Sequence, residues 1–228
     1  MKNFTIKQFK ISLIKLGLKK GDNIFIFPEL FRIGKISNIK NRNDYYNTLI
    51  KEILKIIGRK GSIFINTYTF DNSRKNKNFI YESKICTSGY LSNYFLKMKG
   101  VRRSVHPIFS VAGLGKMSSY VCSNNSVHNY GFLSPYHKMM LINTKILSLG
   151  AEVSRSPFLH CSEYFIGVPY YYNKIFKKKV YKNGKEIKAR FISCVRYLNL
   201  DLKFKFVKLE ALLRKKQIVK TKKLGNGL

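Results

Sequence analysis

Residues 21–66, GDNIFIFPELFRIGKISNIKNRNDYYNTLIKEILKIIGRKGSIFIN, decide the fold of this chain. The apolar run at residues 24–27 is too short for a helix and predicts a buried strand. The spacing in YYNTLIKEILKII predicts a helix that begins at Asn43-Asp44 and ends at Gly58. Residues 62–66 predict a second buried strand. A strand–helix–strand unit within the first seventy residues indicates an α/β protein.

Outward from this unit, the apolar periodicity alternates between helix and strand. Further helices are predicted at residues 4–18, 90–98, 157–166 and 206–213, and further strands at 109–113, 146–149 and 191–198. A polar stretch at residues 71–77 predicts a surface loop. No internal repeat or linker interrupts the pattern. We therefore expect residues 1–228 to form one domain, a mixed sheet flanked by helices in an α/β/α sandwich.

The composition excludes several classes of protein. Hydrophobic residues make up 45% of the chain, with 17 Phe and 15 Tyr, which is too apolar and aromatic for a disordered protein. No stretch approaches the roughly 18 apolar residues of a membrane-spanning helix. Lysines interrupt the first 22 residues, unlike the apolar run of a secretory signal. We expect a cytoplasmic protein without a membrane span.

The charge is strongly positive, with 44 Lys and Arg against 11 Asp and Glu, or +33 (44 − 11). Such a balance is typical of proteins that bind nucleic acid, anionic membranes or phosphate-bearing ligands. The lysines are spread along the chain together with many Ile and Asn residues, and AT-rich codons produce the same pattern. Composition alone leaves both interpretations open.

The cysteines indicate neither a metal site nor disulfides. Cys86, Cys122, Cys161 and Cys194 lie more than thirty residues apart, with no CxxC pair and no histidine at zinc-finger spacing. In a cytoplasmic protein we expect reduced, partly buried thiols and no metal.

One candidate for catalysis is the pair His160 and Glu163 in LHCSEY. Residues three apart share a helix face, so the carboxylate can orient the imidazole as a general base requires. The helix follows a strand and Gly150, where open α/β sheets place their ligands. The alternative is a partly buried helical histidine beside an incidental glutamate.

Two loops are further candidates. The segment RRSVHPIFSVA at residues 102–112 offers arginines, hydroxyls and amides for phosphate oxygens, or is a turn with two solvated arginines. His106 precedes Pro107 and is therefore not helical. The aromatic segment at residues 128–136 suits a pocket wall or a plain connector. His137 is expected at the surface.

These segments, taken in order, resemble the aminoglycoside 3-N-acetyltransferase family. The matching segments are RSVHP at residues 103–107, SVA at 110–112, YG at 130–131, SPY at 134–136, LG at 149–150 and LHCSE at 159–163. Residues 21–22, 30–34, 67–70 and 167–170 also fit, the last most like members found with bacterial surface-polysaccharide genes. The resemblance implies transfer of acetyl from acetyl-coenzyme A to an amine on a sugar-like acceptor.

The resemblance also assigns roles to residues. His160 is implied as the base and Glu163 as the residue that orients it. The implied coenzyme A contacts are Glu29, Leu30, Thr69, Arg103, Ser104, His106, Ser110 and Val111. The implied acceptor contacts are Tyr130, Ser134 and Tyr136. No metal and no specific nucleic acid partner are implied, and the oligomeric state is not indicated.

Several positions depart from the family pattern. Phe27 and Pro28 stand where a His-Ser pair is usual, and Pro28 lacks a backbone N–H. Asn66 replaces a proline, Ser154 an aspartate and Pro157 a threonine. Residues 224–227 look like the start of a strand whose continuation is missing, which predicts a C-terminally shortened member. These departures keep one alternative open, an inactive relative that binds coenzyme A weakly or not at all. A second alternative, a basic nucleic-acid-binding protein, rests only on the net charge.

Overall fold

The structure, a computed structural model, describes residues 3–71 and 77–224. Its α-helices are α1 (Ile6–Lys15), α2 (Arg42–Ile57), α3 (Tyr90–Lys97), α4 (Ser118–Cys122), α5 (Pro135–Leu141), α6 (Pro157–Ile166) and α7 (Phe206–Lys215). The strands are β1 (Asn3–Phe4), β2 (Asn23–Pro28), β3 (Lys35–Ile36), β4 (Ser62–Asn66), β5 (Phe79–Ile80), β6 (Arg102–Arg103), β7 (Val111–Gly115), β8 (Lys145–Leu149), β9 (Tyr171–Phe176), β10 (Val180–Lys182), β11 (Lys185–Glu186) and β12 (Phe191–Arg196).

The central sheet has five strands in the order β6-β7-β4-β2-β8. β2 runs parallel to both β4 and β8, whereas β7 is antiparallel to β4 and β6. This mixed sheet confirms the predicted α/β class. The carboxyl ends of β2, β4 and β8 therefore meet at one edge, where an open α/β sheet offers a ligand site.

Both faces of the sheet are covered, which explains the uninterrupted apolar run in β2. Ile24 and Ile26 pack toward α1, α2 and α3, in a core that includes Leu13, Ile53 and Phe95. Phe25 and Phe64 point to the other face and pack with residues of α4, α5 and α6. Because side chains alternate along a strand, only a continuous apolar sequence satisfies both layers.

Several helices and strands begin or end at residues other than those predicted from the sequence. Asn41, not Asn43 or Asp44, caps α2 through its side chain. The predicted strand at residues 109–113 begins instead at Val111, because Phe109 belongs to a turn. The first helix is shorter than predicted, since Phe4 pairs with Ile36 in β1 and β3. Most of the loop predicted at 71–77, and all but the first residue of the strand start at 224–227, lie outside the described residues.

The antiparallel pair of β9 and β12, called the ribbon below, was only half predicted. The tail strand at residues 191–198 corresponds to β12, but β9 was missed. The ribbon is joined to the body through backbone bonds from Ile192 N–H to Val127 O (2.9 Å) and from Asn129 N–H to Ile192 O (3.1 Å). Cys194 N–H adds a bond to Asn129 Oδ1 at 3.0 Å.

Two buried histidines fasten the ribbon in the same way. His106 Nδ1 accepts from the backbone N–H groups of Ile108 and Phe109, so its ring proton is on Nε2, which lies 3.3 Å from Ile192 O. His128 Nδ1 accepts from two backbone N–H groups, and its Nε2 lies 2.9 Å from Asn173 Oδ1. Both rings must therefore be neutral to make these bonds.

Acidification should loosen this attachment before other buried groups respond. Burial lowers the pKa of His106 to about 4 and also lowers the pKa of His128. The unfolded chain takes up these protons near pH 6.5 and the folded chain only at lower pH, so stability falls as the pH drops. We expect His106 to contribute roughly 3 kcal/mol of the loss between pH 6.5 and 4.

Urea unfolding at pH 7.5 and pH 4.5 measures this loss. The variant His106→Gln keeps an acceptor and a donor but does not titrate, so its stability should change less between the two pH values. An equal pH dependence in the variant and the native chain would contradict the role given to His106.

Candidate active site

α6 presents the predicted pair His160 and Glu163. Pro157 occupies the first turn of α6, and Gly167 ends it with φ at 75°, in the left-handed region that favours glycine. His160 Nδ1 and Glu163 Oε2 are 2.8 Å apart. The imidazole side chain is 30% exposed and the carboxylate side chain 9%. The imidazole is thus accessible and the carboxylate buried, and the two side chains are in contact, as the helix spacing predicted.

Two tyrosines that sequence reasoning missed complete the surroundings of Glu163. Tyr170 donates to Oε1 at 2.7 Å, and Tyr171 donates to Oε2 at 2.5 Å. Burial alone would raise the pKa of Glu163, but hydrogen bonds from His160, Tyr171 and Tyr170 outweigh it and lower this pKa to about 2. The carboxylate is therefore ionised at any physiological pH. The motif GVPY after α6 was the only sequence signal for these residues.

The three predicted acceptor contacts are all buried. Tyr136 is fully buried and donates to Asn66 Oδ1 at 2.5 Å. Ser134 is buried and caps α5 through its hydroxyl. Tyr130 is also buried, but its ring centroid lies 5.9 Å from that of His160. Of the three, Tyr130 is the one the structure brings beside the imidazole.

The Arg103 side chain is buried and hydrogen-bonded to other residues of the protein. Its Nε donates to Ser110 Oγ at 3.0 Å, Nη1 to Ser83 O at 2.9 Å and Nη2 to Thr67 O at 2.8 Å. The guanidinium carbon lies 4.7 Å from the centre of the Phe79 ring. Arg103 therefore joins the loops that follow β4 and β5 to the segment that precedes β7, and it is 4% exposed.

The other residues implied as coenzyme A contacts in this segment are also buried and paired. Ser104 Oγ accepts from Val111 N–H at 2.9 Å. Ser110 Oγ donates to Thr67 O at 2.7 Å, and Thr69 Oγ1 donates to Pro107 O at 2.7 Å. His106 is occupied by the turn and the ribbon, as described above. The segment therefore forms a rigid support behind the site.

The implied contacts Glu29 and Leu30 lie elsewhere, in a groove of about 890 Å³. The groove is bounded by the loop after β2, the segment between β3 and α2, and the first turn of α3. Its basic residues are Lys35, Lys40 and Arg42, and its one acid among the lining residues, Glu29, pairs with Arg32 at 2.9 Å. The groove is thus positively charged over an apolar wall.

A short chain of contacts connects the groove to the imidazole. Ser88 lines the groove and accepts from Tyr68 N–H at 2.7 Å. The hydroxyls of Tyr68 and Tyr136 are hydrogen-bonded, and the Tyr136 ring lies 5.3 Å from that of Tyr130. Tyr130 in turn neighbours His160. The groove and the His160–Glu163 pair therefore flank the same edge of the sheet.

The described residues contain neither a metal-binding cluster nor a membrane-spanning helix. No group of three or more His, Cys, Asp or Glu side chains is placed to hold a metal ion in the ranges 3–71 and 77–224. Within the same ranges no helix combines the length and apolar character needed to cross a bilayer. The four cysteines are free thiols.

Comparison with known proteins decides the family. The family model described as aminoglycoside 3-N-acetyltransferase matches residues 32–228. The chain belongs to this family. The resemblance read from the motifs is thereby confirmed, and the enzyme class that goes with it is acyltransferase.

Individual members of the aminoglycoside 3-N-acetyltransferase family are distant from this chain. The SPbeta prophage-derived aminoglycoside N(3')-acetyltransferase-like protein YokD of Bacillus subtilis (strain 168) is 24% identical over 205 residues, covering 77% of this chain and 72% of YokD. The aminoglycoside N(3)-acetyltransferase III of Salmonella sp is 21% identical over 183 residues, covering 72% of this chain and 62% of that protein.

Solved structures show that the fold is that of the family. The aminoglycoside acetyltransferase AAC(3)-Xa superposes with a TM-score of 0.77 at 17% identity, over 94% of this chain and 83% of that one. The AAC-IIIb complex with CoASH gives 0.77 at 18%, over 94% and 85%, and the YokD structure gives 0.75 at 18%, over 98% and 91%. At such identities the likeness establishes architecture alone.

The internal role of Arg103 can be tested by stability. Arg103→Met removes three hydrogen bonds from a buried cation, to Thr67 O, Ser83 O and Ser110 Oγ, so we expect a loss of about 3 kcal/mol in the free energy of unfolding. Arg102→Met, at the exposed neighbouring position of β6, should cost less than about 0.5 kcal/mol. Urea denaturation measures both. Equal, small losses would contradict the structural role of Arg103.

Proposed function

We propose that this protein is an N-acetyltransferase that transfers acetyl from acetyl-coenzyme A to the amine of an anionic amino sugar, such as a nucleotide-linked one. Family membership supports acetyl transfer. The observation that carries the proposal is an accessible imidazole, His160, oriented by the buried carboxylate of Glu163 at 2.8 Å.

The pair has the chemistry that acetyl transfer to an amine needs. An amine attacks a thioester carbonyl only after losing its extra proton, and an imidazole with a free ring nitrogen can take that proton. Glu163 accepts from Nδ1 of His160, which leaves Nε2 as the nitrogen that receives it. The negative carboxylate then stabilises the protonated ring while the acceptor nitrogen reacts.

The basic groove suits coenzyme A. Its phosphates would meet Lys35, Lys40 and Arg42, and the pantetheine arm would lie along the apolar wall that includes Leu30. The first residues of α3 line the same groove, and no side chain caps this helix start, so its N–H groups would be available to a phosphate. Bound there, the co-substrate supplies the acetyl group as a reactive thioester. The AAC-IIIb structure described with CoASH supports this assignment by family likeness.

Three of the departures from the family pattern, at Pro28, Asn66 and Pro157, are accommodated in this structure. Asn66 accepts from Tyr136, and Pro157 is well placed in the first turn of α6. Pro28 ends β2 opposite Leu149, and the following residue, Glu29, donates its N–H to Leu149 O at 2.8 Å. These contacts favour a competent site over an inactive relative.

The charge distribution supports an anionic acceptor. At least seven of the 11 acidic residues already pair with a lysine or arginine, and Glu163 pairs with His160. The seven pairs are Asp22–Lys145, Glu29–Arg32, Glu52–Lys55, Glu152–Arg155, Glu186–Lys179, Asp201–Lys203 and Glu210–Arg214. Few carboxylates remain to attract a polycationic aminoglycoside, the kind of acceptor that relatives such as AAC-VIa with sisomicin bind.

The segment that carries Tyr171 adds positive charge beside the site. Residues 171–196 contain nine lysines and arginines and one acid, Glu186. A nucleotide-linked amino sugar carries phosphates that complement this surface, and its free amine can reach His160. We also propose that the protein works in the cytoplasm, where its thiols remain reduced, and that it needs no metal and no nucleic acid partner.

The first expected result is acetyl transfer that depends on His160. In a coenzyme A release assay, a nucleotide-linked amino sugar should react faster than tobramycin or gentamicin. His160→Ala should reduce the rate at least about 100-fold, because general base catalysis contributes that much. His137→Ala, a histidine of α5 outside the site, serves as the matched control and should keep its rate.

Three outcomes separate the candidate functions. Rapid acetylation of aminoglycosides would overturn the anionic acceptor. Thermal stabilisation by acetyl-coenzyme A without turnover on a broad acceptor panel would indicate an inactive relative. Steeply salt-dependent retention on duplex DNA, with no response to acetyl-coenzyme A, would favour the nucleic-acid-binding alternative.

The second expected result places coenzyme A in the groove. Arg42→Glu reverses a charge at the groove wall, where the guanidinium lies 4.7 Å from the Tyr90 ring centre. We expect acetyl-coenzyme A to bind about tenfold more weakly or worse, seen as a smaller ligand-induced rise in Tm. Lys51→Glu, exposed on the same helix but outside the groove, makes the same charge change and should behave like the native protein.

A further inference from the structure

Three atoms meet at the centre of the site, and their distances constrain where the protons lie. His160 Nδ1, Glu163 Oε2 and the hydroxyl oxygen of Tyr171 form a triangle. Nδ1 is 2.8 Å from each of the two oxygens, and the two oxygens are 2.5 Å apart. At such distances facing lone pairs repel each other, so the two protons available, one from Tyr171 and one on Nδ1, must serve the three edges, the one on Nδ1 being shared between the two oxygens.

One proton arrangement satisfies the triangle. The ionised carboxylate of Glu163 only accepts, so Tyr171 must direct its hydroxyl proton to Oε2. Nδ1 of His160 must also carry a proton, because otherwise two lone pairs would face each other across 2.8 Å. With Nδ1 protonated, the neutral ring keeps its lone pair on Nε2.

Arg196 favours one orientation of the Tyr171 hydroxyl. Arg196 lies opposite Tyr171 in the pairing of β12 with β9, so the two side chains share one face of the ribbon. A guanidinium is a cation with donors and no acceptor, so it favours a hydroxyl that turns its oxygen toward Arg196 and its proton toward Glu163. The guanidinium is itself held over the Phe204 ring at 3.9 Å from its centre.

We propose that Tyr171 is a positioning residue, whose hydroxyl, oriented by Arg196, locks the Glu163 carboxylate against Nδ1 of His160 and so keeps Nε2 free to take a proton. This inference rests on the proposed acetyl transfer and deepens it. Tyr171 acts through Glu163 and His160 and does not need to touch the substrate. It would also make the ribbon, and not α6 alone, a determinant of activity.

Three consecutive tyrosines, at residues 170–172 where the ribbon begins, provide a matched series of Tyr→Phe variants. Tyr171→Phe removes the hydroxyl in the triangle. Tyr170→Phe removes a donor to the other oxygen of Glu163, which has no contact with the imidazole. Tyr172→Phe removes the hydroxyl of an exposed tyrosine whose ring packs on Tyr197 at 4.8 Å and which lies outside the triangle.

In steady-state assays, Tyr171→Phe should lower kcat about tenfold or more while the KM for acetyl-coenzyme A changes less than about twofold. Tyr170→Phe should lower kcat less, and Tyr172→Phe should leave it unchanged. Thermal melts of all three variants establish that they are folded. A Tyr171→Phe variant that keeps the native kcat would overturn the proposal.

A second readout does not depend on turnover. Nitrogen NMR shifts distinguish the two ring nitrogens of each of the four histidines, and His160→Ala assigns the signals of His160. The native protein should show Nδ1 protonated and Nε2 bare, and in Tyr171→Phe the two shifts should move toward each other. Unchanged shifts would refute the role of Tyr171. If the native protein acetylates nothing, the proposed function fails while this measurement still decides the inference.

If Tyr171→Phe does not fold, two variants of Arg196 test the proposal instead. Arg196→Lys keeps a donor-only cation and should preserve the native NMR pattern. Arg196→Gln introduces an acceptor that lets the Tyr171 hydroxyl turn away from Glu163, so the shifts should move as described. Identical spectra for the two Arg196 variants and the native chain would likewise refute the proposal.

Discussion

Burial of both faces of one sheet is the constraint from which the rest of this structure follows. Strands β2 and β4 present isoleucines to one layer of helices and phenylalanines to the other, so neither face is left to solvent. Only the strand ends remain accessible. The basic groove forms at this edge on the side of α2 and α3, and the His160–Glu163 pair forms at the same edge on α6. Layer packing thus brings the basic groove and the His160–Glu163 pair to one edge of the sheet, where the proposed function needs them.

The sequence was sufficient for features that depend on near neighbours. The β2–α2–β4 unit, α6 with its proline start and glycine end, and the spacing of His160 and Glu163 are all encoded within a few turns of chain. Apolar periodicity and capping chemistry determine such features locally. The helix α5 was missed because Ser134 and Pro135, which begin it, also suit a turn.

Features that depend on contacts between residues far apart in the sequence could not be predicted in this way. Tyr170 and Tyr171 join the site only because the ribbon folds back over α6, and nothing in their local sequence indicates a carboxylate nearby. Arg103 shows the opposite error. Its basic side chain suggested phosphate binding, but the carbonyls of Ser83 and Thr67 claim its donors once distant loops meet. A single sequence does not show which distant residues will hydrogen-bond to a given polar side chain.

The ribbon has a kinetic consequence that follows from its attachment. It is held by a few backbone bonds and by two histidine rings, whereas α6 packs into the sheet core through Cys161 and Phe158. Segments with few buried contacts open independently of the global unfolding transition. Amide protons of the ribbon should therefore exchange with solvent sooner than those of β2 and β4. Each such opening would carry Tyr171 away from Glu163, so the enzyme would pass through brief dormant intervals while its core stays intact.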